Sequence, residues 1–182
     1  MRGISFKILS LHDLKEIGDY DVEEPAETFE GNAIIKAIMY GKKSGLLALA
    51  DDSGLEVDAL GGNPGVLTKR YAQGSDEDRF KKILQELAGV PDGQRGAKFR
   101  CVIAIYDPKL DKVRTCEDVY RGVIAHKAKG GQGFGYDPIF YNMELKKMNA
   151  EMTLTEKNSV SHRGKALRKA KKLLEYEFYE SI

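Results

Sequence analysis

Two adjacent carboxylates, Asp51 and Asp52, end an apolar run and are followed by the hydroxyl of Ser53. The apolar run covers residues 46–50, and a second β-like run covers residues 55–60. Adjacent carboxylates repel each other, so both ionise most easily when a hard cation or a hydrogen-bond donor lies between them. Asp, Ser and Gly are also typical of a turn at a strand end. The stretch therefore predicts either a metal and phosphate site or an ordinary turn.

A glycine-rich stretch between residues 130 and 138 is the second candidate. Four glycines in six residues let backbone N–H groups approach a ligand closely. The stretch matches neither a P-loop nor a dinucleotide-binding fingerprint, because the residues that complete those motifs are missing. Phe134 and Tyr136 alternate with the glycines, so an aromatic ring could stack on a base. The alternative is a glycine-rich bend with two core aromatics.

A helix predicted from residue 162 to about residue 179 begins with His162 and Arg163, and Ser161 can cap it. The free N–H groups and the dipole of a helix N-terminus attract anions, and two basic side chains strengthen that attraction. The same dipole disfavours cations on stability grounds alone. We therefore interpret this helix start as an anion site.

An acidic segment between residues 13 and 30 contains Glu23 and Glu24 and a single base, Lys15. A solvated loop is the simpler interpretation of these two glutamates. The sharper one places this segment and the basic segment at residues 157–172 on the metal side and the phosphate side of one site.

The elements that must position these residues alternate between helix and strand, which predicts an α/β fold in one domain, 1–182. Local signals predict strands at 6–11, 97–106 and 113–125, and helices that begin after Thr28, Ser75, Thr153 and Ser161.

Composition excludes several classes of protein. A net charge of +1 gives no reason to expect a nucleic-acid partner. No apolar run reaches the roughly 20 residues that span a membrane. Cys101 and Cys116 have no zinc-site spacing and predict buried free thiols in a reducing compartment, the cytoplasm.

Several motifs then stand in a specific order over most of the chain. They are Thr28-Phe29 with Asn32-Ala33 and Lys36-Ala37, Ala50-Asp51-Asp52-Ser53-Gly54-Leu55, Gly61-Gly62 with Pro64-Gly65-Val66, Gly133-Phe134-Gly135-Tyr136-Asp137-Pro138-Ile139-Phe140, Ala150-Glu151-Met152-Thr153, Glu156-Lys157-Asn158, and Ser161-His162-Arg163-Gly164-Lys165-Ala166-Leu167. From about residue 6 to residue 175 the chain resembles the inosine triphosphate pyrophosphatase family, whose bacterial members are the dITP/XTP pyrophosphatases.

The resemblance implies an elongated, two-lobed α/β fold with a long mixed β-sheet, flanking helices and a central cleft, assembled as a homodimer. It implies Mg²⁺-dependent hydrolysis of ITP, dITP and XTP to the monophosphate and pyrophosphate, which cleanses the nucleotide pool. For this chain it implies that Asp52 is a catalytic residue and a metal ligand, and that Glu24, which is adjacent to Glu23, is a second metal ligand. The implied substrate contacts are Ser53, Phe134, Gly135, Tyr136, Asp137, Lys157, His162 and Arg163.

The chain also departs from the family pattern. The family's opening Thr/Ser-x-Asn-x-x-Lys segment, which contacts the triphosphate, has no counterpart here, so we expect either a shortened chain or the loss of that contact. Leu67-Thr68-Lys69 replaces the family's usual run before Arg70. Two alternatives therefore stay open: a catalytically weak or inactive purine-nucleotide binding protein, and a pyrophosphatase with a shifted substrate such as a modified pyrimidine nucleotide.

Overall fold

The computed structural model describes residues 7–14, 17 and 22–178. Within these ranges the α-helices are α1 Phe29–Ser44, α2 Asp76–Glu86, α3 Leu154–Val160 and α4 His162–Glu177. The strands are β1 Ala48–Val57, β2 Gly96–Asp107, β3 Lys112–Ile124, β4 Phe140–Asn142 and β5 Lys147–Met148. Each helix in the described part of the chain is too short or too polar to cross a bilayer.

Helix α1 begins where the sequence predicts, directly after Thr28. The Thr28 side chain accepts a hydrogen bond from the Gly31 amide at 3.0 Å, which satisfies one free N–H of the first turn. Gly45 ends the helix in the left-handed conformation, with φ 68°. Inside the helix, a Cβ on Gly41 would lie 2.6 Å from the ring of Tyr106, so only glycine allows this approach of helix to strand.

Strand β1 runs without interruption through Asp51, Asp52 and Ser53, so the predicted strand end at these residues is wrong. Because successive side chains of a strand point to opposite faces, the two carboxylates cannot share one cation between them. Pairing with β2 holds the strand together although Asp, Ser and Gly are poor strand formers.

The short strand predicted at 6–11 is also wrong where it can be compared. Residues 7–10 have no regular structure, and Leu11–Asp13 form a 3-10 turn with the Ser10 side chain at its start. Phe6 lies outside the described residues.

The strands form one five-stranded antiparallel sheet in the order β1-β2-β3-β4-β5. Strands β2 and β3 are joined by the turn that the sequence predicts, and β3 then pairs with β4 through Val123 opposite Tyr141 and Ile124 opposite Phe140. The α/β class is therefore confirmed. The described strand pairings are antiparallel, whereas a mixed sheet was expected. Strands that neighbour each other in the sheet are also consecutive along the chain, and the chain reverses direction from each strand to the next.

The chain divides into two compact units. Of the described residues, unit 1 comprises 7–14, 17, 22–52, 102–117 and 167–178, and unit 2 comprises 53–101 and 118–166. Unit 1 buries one face of α1 together with the second half of β2. Unit 2 has a continuous apolar core, formed by Leu55, Val57, Ile83, Leu87, Ala97, Phe99, Tyr120, Ile124, Tyr136, Ile139 and Phe140. Whether residues 1–182 behave as a single domain stays a prediction.

Arg95 is buried in unit 2 and ties the end of α2 to the end of β3. Its guanidinium donates to the carbonyl oxygens of Leu87 at 2.8 Å, Ile124 at 2.8 Å and Ala125 at 3.0 Å. A buried charge is tolerated only when its hydrogen-bonding capacity is used. The three donors of this side chain therefore link backbone carbonyls of two separate elements.

Arg95→Met should lower the free energy of unfolding by about 2–4 kcal/mol, because several buried carbonyls lose their donor. Urea denaturation followed by circular dichroism measures the change. Arg121→Met is the matched control, since Arg121 is exposed on β3. Equal unfolding midpoints for the two variants would contradict this role of Arg95.

Candidate functional site

A lysine in unit 1 joins two carboxylates. The Lys36 Nζ atom lies 2.7 Å from Glu24 Oε1 and 3.1 Å from Asp52 Oδ1. Lys36 comes from the middle of α1, Asp52 from β1, and Glu24 from the segment that precedes α1. The two residues that the sequence analysis predicts as metal ligands thus converge on one positive charge.

Asn32 completes this cluster. Its Nδ2 donates to Asp52 Oδ2 at 3.3 Å and to the Ala26 carbonyl at 3.2 Å, while its Oδ1 accepts from the Ala26 amide at 2.9 Å. One turn of helix separates Asn32 from Lys36, so both side chains lie on the same face of α1. The Asn32 side chain therefore fixes both the Asp52 carboxylate and the segment that carries Glu24. The sequence showed this pair only as part of a motif and did not indicate its role.

Burial and pairing set the protonation of this cluster. Burial of Asp52 raises the pKa of its carboxyl group, and this effect outweighs the opposing influence of Lys36. Burial lowers the pKa of the Lys36 amine, but the hydrogen bond to Glu24 and the charge of Asp52 outweigh it, so the net shift is upward. Lys36 is therefore a cation at neutral pH.

The cluster fits a hard divalent cation. Two carboxylate oxygens already converge on the ammonium group of Lys36, which marks a position where positive charge is stabilised. Two carboxylates and one ammonium leave a formal charge of −1. Within the described residues no group of three or more His, Cys, Asp or Glu side chains could hold a metal alone. Two carboxylates suit Mg²⁺, which keeps several waters and takes its other ligands from a bound phosphate.

Unit 2 contains a cavity of about 450 Å³. All eight residues that the sequence analysis predicts as substrate contacts line it. They are Ser53, Phe134, Gly135, Tyr136, Asp137, Lys157, His162 and Arg163. These residues come from β1, the glycine-rich stretch, α3 and the start of α4. The structure thus brings them together, while their individual roles stay predictions.

The lining of the cavity is positively charged. Four basic side chains and two acidic ones line it, which leaves two positive charges when His162 is neutral. They are Lys69, Arg79, Lys157 and Arg163 against Asp76 and Asp137. This balance favours an anionic ligand.

The glycine-rich stretch depends on glycine at Gly133. Its φ is 82°, and a Cβ there would lie 2.1 Å from Asp137 Oδ2. That carboxylate oxygen accepts a hydrogen bond from the Phe134 amide at 2.9 Å. The missing side chain therefore lets Asp137 reach the backbone of the residue that follows the glycine.

The two aromatic residues of this stretch have different environments. The Phe134 side chain is 65% exposed, whereas Tyr136 is only 2% exposed. The Tyr136 hydroxyl donates to the Thr68 carbonyl at 2.8 Å, and burial raises the pKa of this hydroxyl. Tyr136 is therefore held as part of the core. Phe134 presents a ring to the cavity.

Asp137 is a buried anchor for Lys157. The Lys157 ammonium pairs with Asp137 Oδ2 and lies 4.5 Å from the centre of the Phe134 ring. Asn149 Nδ2 donates to Asp137 Oδ1 at 3.3 Å, and Asn149 Oδ1 accepts from the Tyr120 hydroxyl at 2.9 Å. A buried polar network at the cavity wall therefore fixes the ammonium group and, through it, the surroundings of the ring.

The start of α4 contributes the remaining predicted contacts. The Ser161 hydroxyl accepts from the Gly164 amide at 3.1 Å, as the predicted cap requires. The His162 ring stacks on Phe99, with centroids 5.0 Å apart and planes 9° apart. Arg163 Nη2 donates to Ser53 Oγ at 2.9 Å. This arrangement offers flat faces and several donors, which suits a planar heteroaromatic ligand with oxygen acceptors.

Sequence reasoning missed other residues that line the cavity: Thr68, Lys69, Asp76, Arg79, Gln132 and Asn149. Lys69 was visible as a departure from the family pattern. Asp76 was visible only as the first residue of a capped helix, and Asn149 stands between two motifs without belonging to either.

Comparison with protein families matches residues 2–173 to the Ham1 family. The dITP/XTP pyrophosphatase of Desulforamulus reducens is 47% identical over 176 residues, covering 96% of this chain and 86% of that protein. The dITP/XTP pyrophosphatase of Bacillus subtilis is 47% identical over 165 residues, covering 89% of this chain and 83% of that protein.

Solved structures of two Ham1 proteins share this fold. The HAM1 protein from Coxiella burnetii has a TM-score of 0.82 at 44% identity, covering 88% of this chain and 83% of its own. The Ham1 protein of Staphylococcus aureus has a TM-score of 0.83 at 41% identity, covering 90% of this chain and 84% of its own.

Lys36→Met should destabilise the protein in the absence of divalent cations, because Asp52 and Glu24 lose their shared cation. We expect the free energy of unfolding to fall by about 1–3 kcal/mol, measured by urea denaturation in EDTA. Lys42→Met is the control, since Lys42 is exposed on the same helix. A Lys36→Met protein as stable as this control would contradict the bridging role.

Proposed function

The chain belongs to the Ham1 family, and from this premise we propose that it hydrolyses non-standard purine nucleoside triphosphates to the monophosphate and pyrophosphate. ITP, dITP and XTP are the proposed substrates, and removing them protects the nucleotide pool. The observation that carries the proposal is the cavity of unit 2, which gathers an exposed aromatic ring, basic side chains and a helix start. The names of the relatives from Desulforamulus reducens and Bacillus subtilis agree with this reaction.

The purine base is proposed to bind in this cavity. The Phe134 ring offers a stacking face, and the Lys157 ammonium, which lies over this ring, is a donor for an exocyclic oxygen of the base. Arg163 and His162 add further donors from the start of α4. A 6-oxo group accepts hydrogen bonds from such donors, whereas the 6-amino group of adenine cannot. Each donor left unpaired would cost about 1–3 kcal/mol, which would discriminate against ATP.

The carboxylate cluster of unit 1 is proposed to bind the phosphates through a divalent cation. Glu24 and Asp52 would hold Mg²⁺, which when bound neutralises the triphosphate charge. Lys36 and Asn32 hold the Asp52 carboxylate in one orientation. Asp52 and Ser53 are consecutive in β1, so one strand supplies both a proposed catalytic group and a proposed substrate contact.

Asp52 is proposed to orient the attacking water and to accept its proton. The water oxygen bonds to the α-phosphorus, and the bond from that phosphorus to the bridging oxygen breaks. Pyrophosphate leaves with the bonding electron pair. The products are the nucleoside monophosphate and pyrophosphate.

Assembly and location are further proposals. The family resemblance supports a homodimer. Cys101, which is buried, and Cys116, which is half-buried, are thiols and not disulfide partners, which supports a reducing compartment, for which we propose the cytoplasm. A formal net charge of +1 gives no support for a nucleic-acid partner.

Asp52→Asn should lower kcat for ITP by about 10²–10⁴-fold, because the water loses its proton acceptor and the metal loses a ligand. Pyrophosphate release from ITP, XTP, dITP and ATP in the presence of Mg²⁺ measures the reaction. The three non-standard nucleotides should be hydrolysed with a higher kcat/KM than ATP.

Asp58→Asn is the matched control, since it removes an exposed carboxylate immediately after the same strand. Its kcat should stay close to that of the wild type. Turnover of ITP and XTP by the wild type no higher than by Asp52→Asn would reject the hydrolase. Calorimetry with inosine monophosphate would then identify a nucleotide-binding protein, and absence of binding would reject both.

A further inference from the structure

The first residue of α2, Asp76, holds the backbone of the glycine-rich stretch. Its Oδ2 accepts a hydrogen bond from the Gly135 amide at 2.6 Å, although 59 positions separate the two residues along the chain. Both residues line the cavity of unit 2. The contact joins the start of a capped helix to the residue that immediately follows Phe134.

The consecutive amides of Phe134 and Gly135 thus donate hydrogen bonds to two different carboxylates. Asp137 Oδ2 accepts from the Phe134 amide at 2.9 Å, and Asp76 Oδ2 accepts from the Gly135 amide. The Phe134 side chain is 65% exposed, so core packing does not determine where its ring lies. Gly135 has φ 61°, a conformation that glycine adopts freely and that needs support to be unique. The backbone contacts must supply that support.

Arg79 fixes the carboxylate that makes this contact. Its Nη2 pairs with Asp76 Oδ1, and its Nη1 donates to the Gly74 carbonyl at 3.0 Å. The hydrogen bond from Arg79, followed by the one from the Gly135 amide, lowers the pKa of the Asp76 carboxyl group. Asp76 is therefore an anion at neutral pH, and each of its two oxygens has a donor. Charge-assisted hydrogen bonds of this kind are the stronger ones in proteins.

We propose that Asp76 is a positioning residue for the purine base: it fixes the backbone at Gly135 and so holds the Phe134 ring where a base can stack on it. The proposal rests on the proposed function for the identity of the base. It assigns to α2 a role in substrate binding that the sequence motifs do not indicate. Arg79 acts through Asp76 in the same arrangement.

Three variants test the proposal. Asp76→Ala removes both hydrogen bonds, and Asp76→Asn keeps an oxygen acceptor without the charge. Glu77→Ala is the matched control, because it removes an equal charge from the same helical turn and Glu77 is exposed, away from the cavity lining. KM and kcat for ITP, the dissociation constant of inosine monophosphate, and amide hydrogen exchange are measured for each variant and for the wild type.

Asp76→Ala should raise KM and the dissociation constant by about tenfold, the effect of losing one charge-assisted hydrogen bond, with kcat within about twofold. Asp76→Asn should recover part of this loss, and Glu77→Ala should match the wild type. The Gly135 amide should exchange at least about tenfold faster in Asp76→Ala, while the amide of Ile83, buried in the same helix, should keep its protection.

Two results would overturn the proposal. One is that the exchange rate of the Gly135 amide, or the KM for ITP, is the same in Asp76→Ala as in Glu77→Ala. The other is a parallel loss of protection at Ile83, which would mean that Asp76 acts only through the stability of α2. Absence of ITP turnover by the wild type would reject the proposed function instead, since hydrogen exchange and inosine monophosphate binding are measured without turnover.

Discussion

A carboxylate buried in a protein must be paired, and two buried carboxylates of this chain, one in each unit, are each paired with one lysine and one asparagine. Asp52 in unit 1 is held by Lys36 and Asn32. Asp137 in unit 2 is held by Lys157 and Asn149. Removing the partner of a buried charge costs far more than an exposed ion pair contributes. The positions of these two lysines and two asparagines therefore follow from the need to keep two carboxylates satisfied.

The two pairings leave different chemistry available. Lys36 also binds Glu24, so that cluster keeps a surplus negative charge, which is the basis for proposing a divalent cation there. Asp137 has donors on both oxygens, from a lysine, an asparagine and a backbone amide. A carboxylate with that many donors is suited to holding its neighbours in place. Asp137 is therefore better understood as the anchor of the proposed base pocket than as an acid or base.

Local signals in the sequence were sufficient for the helices. The caps at Thr28, Ser75 and Thr153 each join residues three positions apart, so the sequence alone specifies them. Strand β1 could not be predicted as one element, because Asp51, Asp52 and Ser53 disfavour a strand and only the neighbouring strand holds them in it. Motifs indicated the predicted cavity residues. Contacts between distant parts of the chain, such as that of Asp76, leave no local signal.

The contrast between Phe134 and Tyr136 shows where such distant contacts decide function. Both are aromatic, and both follow a glycine, so the sequence treats them alike. Tyr136 is buried in the apolar core and its hydroxyl donates to the Thr68 carbonyl, whereas the Phe134 ring lines the cavity. An exposed aromatic ring forgoes the stability that burial would supply. Such a ring can therefore be held for a ligand only if its backbone is fixed, and in this chain two carboxylates from different elements fix it.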